Sequence, residues 1–342
     1  MKITIKKLGL CLGAGVIFAA SLTGTAKAEE VIKFSAYFSP EGFTHKGIFA
    51  PLLREIEEES NGEIKFEIYS SGALGKMTQQ YDLLKNGLAD MALYIPAYSG
   101  GRFPLSEAAT LPFAFTSVSQ GTLVLNELIE KWLAPEHKNV KLLFMHTPPP
   151  AGVISAEKTV AKVGDFEGMK MRSVGAVGTE ILKVLGANVL TVPLPEVYTA
   201  LERGVVDASI MDPVSSVSYK LHEPITKYTP LAFSSVATAT AMNQRRWDSL
   251  SPEHQAIITG AIKRSLPRLI ENYNEENRRS LEVMKESNVE IIEFPAEERE
   301  RIIEKVLPLW AEWVEKKESE GDPAKAFMVD FEAARKKYAD KP

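Results

Sequence analysis

Hydrophobic and polar positions alternate between two periods along most of the chain. Val31–Phe38 alternates with period two and predicts a strand; Thr44–Ser60 follows with apolar residues at helical spacing. Glu63–Tyr69, entered through Asn61-Gly62, reads as a second strand, Met77–Asn86 as a helix stopped by Gly87, and Met91–Ile95 as a third, largely apolar strand. A helix over Ser119–Trp132 then leads to a strand over Val140–His146. Strands separated by helices of this length predict βαβ units and a sheet covered on both faces.

The run Thr147-Pro148-Pro149-Pro150-Ala151-Gly152 cannot continue a regular ladder and predicts a crossing into a second domain. There Met169–Met171 alternates as a short strand that delivers Arg172, and Ser173, Gly175 and Gly178 allow the chain to turn. Thr179–Leu185 reads as a helix closed by Gly186, Val189–Val192 as a strand, Pro195 to Gly204 as a helix and Ala208–Met211 as another strand. A return crossing is expected within the extended Ala232–Asn243 run. Ser251 and Pro252 open a long helical pattern towards Ser287 with a kink expected at Pro267; a strand over Val289–Phe294 and a helix over Glu297–Lys317 follow, with Trp310 and Trp313 read as packing residues.

The expected fold is therefore α/β, a two-lobed clamshell with mixed sheets, a cleft between the lobes and a long helix lying across both. Residues 29–150 and about 243–287 are assigned to one lobe, and 151–242 and about 288–342 to the other. Met1–Ala28 is set apart. It carries Lys2, Lys6 and Lys7, an apolar Leu8–Leu22 segment and Ala26-Lys27-Ala28, the pattern of a cleavable export signal, and it contains the chain's one cysteine, Cys11. Without its four lysines the 40 basic residues fall to 36 against 45 acidic ones. Nine excess acids and no arginine-rich stripe argue against nucleic acid and anionic membrane surfaces as partners.

Candidate chemistry centres on Arg172. A strand's carboxyl end in an α/β sheet borders the crevice where ligands bind, and a guanidinium fork matches a carboxylate with two parallel hydrogen bonds. The histidines at 45, 137, 146, 222 and 254 have no metal-ligand spacing, and no His-Glu-x-x-His, Gly-x-Ser-x-Gly or phosphate-binding glycine loop occurs. No cofactor or metal is expected.

The chain resembles the periplasmic solute-binding subunits of tripartite ATP-independent periplasmic (TRAP) transporters, the DctP-like family. The resemblance rests on Asp165-x-x-Gly168-x-Lys170-x-Arg172, Leu185-Gly186-Ala187, the run Glu196-Val197-Tyr198-x-Ala200-Leu201-x-x-Gly204-Val205-Val206-Asp207, and Met242-Asn243 followed by Trp247. It implies a periplasmic, monomeric binding protein, not an enzyme. It also implies that Arg172 holds the solute's carboxylate and that small and large membrane permease subunits receive the solute.

Matching segments in order adds Tyr37, Met77, Tyr94, Ile95, Tyr98, Gly152, Leu194, Met211 and Asp212 to the site. His146 is a candidate donor to the ligand. Relatives that take dicarboxylates or sialic acid place a second basic group near Gly152, and its absence here, with the apolar character of most positions, leads to the expectation of a monocarboxylate with an apolar or aromatic body. Ligands of other carboxylate classes, a binding protein of another transporter class, or a periplasmic enzyme with dispersed catalytic residues are the alternatives.

Overall fold

The computed structural model describes residues 29–339. The expected export signal lies outside the described residues. Two mixed sheets organise the rest, and the chain passes between them more than once.

The first sheet begins with β1 (Glu30–Ser35). A π-helical turn, Thr44–Phe49, runs into α1 (Ala50–Glu59), so the predicted single helix has two parts. β2 (Ile64–Tyr69), α2 (Gln80–Lys85) and β3 (Met91–Tyr94) follow, then α3 (Val118–Leu128), capped by Ser117, whose Oγ accepts from Gln120 N at 3.1 Å, and β4 (Val140–His146). Phe34, Phe49, Leu52, Ile56 and Phe144 make the centre of this core.

The second sheet takes β5 (Ala151–Ser155), β6 (Lys170–Arg172), α4 (Gly175–Val184), β7 (Asn188–Leu190), α5 (Val197–Glu202), β8 (Ala208–Met211), α6 (Pro213–Ser218) and β9 (Lys227–Ser234). The chain then returns through Ser235–Ala237 to β10 (Thr238–Asn243), which inserts antiparallel between β3 and β4. The order of the first sheet is β2-β1-β3-β10-β4. That of the second, completed by β11 (Glu290–Ile291), is β11-β9-β5-β8-β6-β7. β5 and β9 are strands the hydrophobic pattern alone did not announce. Proline hides both: Pro148 to Pro150 precede β5, and Pro230 sits inside β9 beyond its two-residue pairing with β11, where a missing N–H costs no ladder bond.

After α7 (Gln244–Ser249) comes α8 (Pro252–Glu286), a 35-residue helix about 52 Å long at 1.5 Å per residue. Ser251 caps it by accepting from His254 N at 3.1 Å. Ile258, Ile262, Leu269 and Tyr273 bury against the first core, and Met284 against the core of the second sheet, so the helix spans both lobes. The predicted helix over Glu297–Lys317 is two helices, α9 (Ala296–Val306) and α10 (Leu309–Glu320), divided at Leu307-Pro308; α11 (Ala324–Lys337) ends the described chain. The C-terminal helices do not stay with one sheet. α9 lies against α4, while α11 packs on α3, with Gln120 Nε2 donating to Arg335 O at 2.9 Å and Lys131 pairing with Asp330 at 2.6 Å. This differs from the expectation that 288–342 groups with the second sheet: the apolar face of α11, Phe327 and Phe331, finds its partners in Phe115 and Trp132.

Asn243, where β10 meets α7, ties three elements. Its Oδ1 accepts from Arg246 N at 3.1 Å as the α7 cap, its Nδ2 donates to Leu84 O at 2.8 Å, and its own N–H donates to Asp90 O at 2.8 Å. Asn243→Ala strands two of these groups in a buried place and is expected to cost about 2–3 kcal/mol in urea unfolding, while Asn243→Ser, which restores a cap acceptor, loses less. Equal midpoints for the native protein and Asn243→Ala would show that the junction carries no such weight.

Candidate functional site

Between the two sheets lies a cavity of about 110 Å³. Its walls come from the ends of β1, β3, β6 and β8, from both crossings and from α8. Among the described residues Arg172 is the only lysine or arginine that lines it.

The local sequence pins Arg172 in place. Asp207 Oδ2 accepts from Lys170 N at 2.9 Å and from Lys158 Nζ at 2.9 Å, and Lys170 Nζ donates to Gly204 O at 2.5 Å, which locks the start of β6 to the turn before β8. Burial opposes ionisation of Asp207, but the bonds from Lys158 and from the Lys170 backbone outweigh it and hold the carboxyl below its usual range. Lys170, Gly204 and Asp207 therefore earn their places in the recognisable motif by positioning β6. Two residues on, Arg172 pairs with Ser209 of β8 and Leu190 of β7 and is 1% exposed.

The guanidinium donates through Nε to Val192 O at 3.1 Å and through Nη2 to Tyr98 Oη at 2.8 Å. Tyr98 follows β3 of the first sheet, so this second bond crosses the cleft. Gly175 approaches the same turn: a Cβ there would sit 3.2 Å from Ala97 Cβ, and its φ of +67° suits glycine. Among the described residues no carboxylate lies within 4 Å of Arg172. A buried cation without a counter-charge costs several kcal/mol, and a ligand carboxylate removes that cost.

Around the arginine the lining is aromatic, apolar and neutral. Tyr37, Tyr98, Tyr219 and Tyr273 turn four phenols towards the space. Burial raises the Tyr37 pKa well above the ordinary phenol value, with Tyr219, Tyr273 and Tyr98 adding to the effect; burial likewise raises Tyr219 and Tyr273. These three therefore stay protonated and serve as hydrogen-bond donors. Leu93, Ile95, Val174, Leu194 and Met211 supply apolar surface. His146 is 1% exposed, stacks on Phe144 with ring centroids 5.9 Å apart, and has its pKa pushed down to about 3 by burial, so its ring is neutral at neutral pH. Asp212 reaches the cavity wall, yet its Oδ1 caps α6 by accepting from Ser215 N at 2.8 Å.

Eight of the residues named from sequence thus meet around one space: Arg172, Tyr37, Ile95, Tyr98, His146, Leu194, Met211 and Asp212. Three do not. Tyr94 points to the opposite face of β3 from Leu93 and Ile95, because side chains alternate along a strand; its hydroxyl meets His137 Nδ1 at 2.5 Å behind the sheet. Gly152 is turned away in the same manner, next to the cavity-lining Ala151, and a Cβ there would overlap the Thr229 carbonyl and the Tyr228 ring. It is a glycine because backbone passes close behind it, so the missing basic group at that position says nothing about ligand charge. Met77 follows β2, the outer strand at the sheet edge farthest from the crossings, and misses the cavity.

Tyr219, Tyr273, Ser235 and Thr238 line the site without having been anticipated. A usable signal existed for two of them, since Ser235 and Thr238 fall in the predicted return crossing, and crossings must border the cleft. Phe38 and Phe43, in the segment after β1, pack on Phe49 at 5.3 Å and on Tyr273 at 4.8 Å between ring centroids.

Residues 34–317 match the family model described as "Bacterial extracellular solute-binding protein, family 7". The C4-dicarboxylate-binding periplasmic protein DctP of Rhodobacter capsulatus is 28% identical over 334 residues, covering 92% of this chain and 95% of that one. A solute-binding protein of Albidiferax ferrireducens is 32% identical over 199 residues, and the match spans 58% of its length. In structure, the TRAP solute-binding protein of Rhodoferax ferrireducens with copurified benzoate superposes with a TM-score of 0.86 at 25% identity, over 90% of this chain and 98% of that one. A marine metagenome TRAP solute-binding protein specific for aromatic acids, bound to metahydroxyphenylacetate, gives 0.86 at 27% identity over 92% and 100%.

Asp212 yields a test of the electrostatics. Burial raises its pKa above the ordinary aspartate value, so the folded protein holds this proton to higher pH than the unfolded chain. The stability it contributes is present at low pH and is lost as pH rises from about 4 through the folded value. Asp212→Asn keeps the cap acceptor and removes the charge. It is expected to be at least as stable as the native protein at pH 7, with the difference closing as pH falls towards 4 in thermal unfolding. A variant less stable by the same amount at every pH would refute this account.

Proposed function

We propose that this chain, which belongs to family 7 of the bacterial extracellular solute-binding proteins, captures a small monocarboxylate with an aromatic or apolar body and delivers it to a TRAP-type membrane permease of small and large subunits. Residues 1–28 act in this reading as the export signal that brings the chain to the periplasm. The protein works as a carrier, without chemical change to its cargo.

One observation carries the ligand class: Arg172 is buried at the cavity wall, uses two of its N–H donors on protein oxygens, and has no carboxylate partner among the described residues. Two charge-assisted bonds donated by the guanidinium to a ligand carboxylate would complete it, and the neutral phenols around it can donate to the same oxygens. The cavity, about 110 Å³, is of the order of the roughly 150 Å³ apolar cavity known to hold a benzene ring. Leu93, Ile95, Leu194 and Met211 would bury that body at about 25 cal/mol per Å² of apolar surface.

Similarity supports the same class. The two structural neighbours hold benzoate and metahydroxyphenylacetate. The name of the Rhodobacter relative favours a dicarboxylate instead. Among the described residues a second carboxylate in this cavity would meet no further lysine or arginine and a histidine held neutral by burial, an uncompensated cost of several kcal/mol.

Calorimetric titration of the mature protein with aromatic monocarboxylates, aliphatic monocarboxylates, dicarboxylates and sugar acids tests the reading. Arg172→Ala is expected to weaken the best acid by about 2–5 kcal/mol, 30-fold or more, and Arg172→Lys to recover part of it. The acid should be recovered unaltered. Retained affinity in Arg172→Ala, or tightest binding of a dicarboxylate, would overturn the assignment.

A further inference from the structure

The cavity has a second polar end. Ser235 and His146 are both among its lining residues, both are at least 97% buried, and Ser235 Oγ and His146 Nδ1 have no hydrogen-bond partner among the described residues. Such groups normally are paired, since an unmatched buried donor or acceptor costs about 1–3 kcal/mol.

Their place in the fold sets them away from Arg172. Ser235 directly follows β9, whose last residue, Ser234, pairs with Ala151 of β5; Gly152 of β5 pairs with Met211 of β8, and β8 in turn with Arg172 of β6. Three strand spacings, about 14 Å, therefore separate the β9 and β6 backbones. His146 ends β4 on the other crossing, opposite Thr238, whose hydroxyl donates to the His146 carbonyl at 3.2 Å. The two crossings thus bring one hydroxyl and one imidazole to the hinge side of the cavity, while the guanidinium reaches in from the far strand.

We infer that Ser235 and His146 form a neutral hydrogen-bonding pole that reads a hydroxyl group on the body of the bound acid, so that the preferred cargo is a hydroxylated monocarboxylate. This deepens the carboxylate reading and rests on it. The chemistry suits a hydroxyl better than a charge. A serine hydroxyl and a neutral imidazole can each donate or accept, and together they satisfy both the O–H and a lone pair of the ligand. Among the described residues, a second anion finds no lysine or arginine in the lining beyond Arg172 itself. A site that hydrogen-bonds a ligand hydroxyl rejects the analogue lacking it, since its own buried groups are then left unpaired.

The test compares benzoate with 2-, 3- and 4-hydroxybenzoate by calorimetry on the mature native protein, Ser235→Ala and His146→Phe. One hydroxybenzoate is expected to bind the native protein at least tenfold more tightly than benzoate, and the ratio should fall below threefold in either variant. The readout is the ratio within each protein, which a general loss of affinity does not move; if His146→Phe fails to fold, Ser235→Ala decides. Native affinities no higher for any hydroxybenzoate than for benzoate, or a preference that survives Ser235→Ala, would refute the hydroxyl pole while leaving the Arg172 reading intact. If none of the four acids binds, the hydroxyl pole for an aromatic cargo is refuted, and the aliphatic monocarboxylate titrations decide the carboxylate reading separately.

Discussion

The structure turns on a guanidinium that has been taken out of water without being given an acid among the described residues. Arg172 donates to the Val192 carbonyl on its own side of the cleft and to the Tyr98 hydroxyl on the other. Neutral partners hold the side chain in position but leave its charge uncompensated. Several features of the second sheet exist to keep it there. Asp207 clamps the Lys170 backbone, Lys170 reaches back to Gly204, and Gly175 lets the start of α4 approach the Ile95–Tyr98 turn. Together with the pairing of β6 to β7 and β8, these contacts fix where Arg172 enters the cavity.

Much of this was legible in the sequence, and the reasons differ from residue to residue. Arg172 could be found because a short alternating run followed by glycines places its last residue at a sheet's carboxyl edge. The resemblance named the same residue from an independent pattern. The failures at Tyr94 and Gly152 have a single cause. Matching segments in order locates a strand end to within a residue, but the side-chain period of a strand is two, so an error of one residue exchanges the cavity face for the core face. Leu93 and Ala151, each one residue before the position named, are the ones that line the cavity.

The sheet order and the C-terminal helices were illegible for another reason. β10 enters the first sheet from a point roughly a hundred residues after its neighbour β4, and α11 docks on α3 from the far end of the chain. Local periodicity records which face of an element is apolar, and not which other face it will meet. Tyr273 shows the same limit: on α8 it reads as one more buried position of an amphipathic stripe, and only tertiary packing reveals that the stripe passes a cavity. Ser235 and Thr238 are a milder case, because a crossing between lobes must border the cleft wherever it falls.

On the proposed function, capture and closure would be coupled through the same side chain. If the lobes open, the guanidinium of Arg172 would become hydrated, and bringing Tyr98 back against it would strip that water and leave the neutral acceptors Val192 O and Tyr98 Oη in exchange. Closure alone is thus opposed by the desolvation of one charge, and a bound carboxylate cancels the opposition. A ligand moves such an equilibrium only by its difference in affinity between the two states, and here the difference arises where the charge is buried. Each 1.4 kcal/mol recovered by the ion pair shifts the closed population tenfold. A neutral molecule of the same shape would gain the apolar contacts of Leu93, Ile95 and Met211 but would leave the arginine unpaired, and so would not drive the lobes together. On that reading, selectivity for acids and the signal that the cleft is loaded would be one physical event.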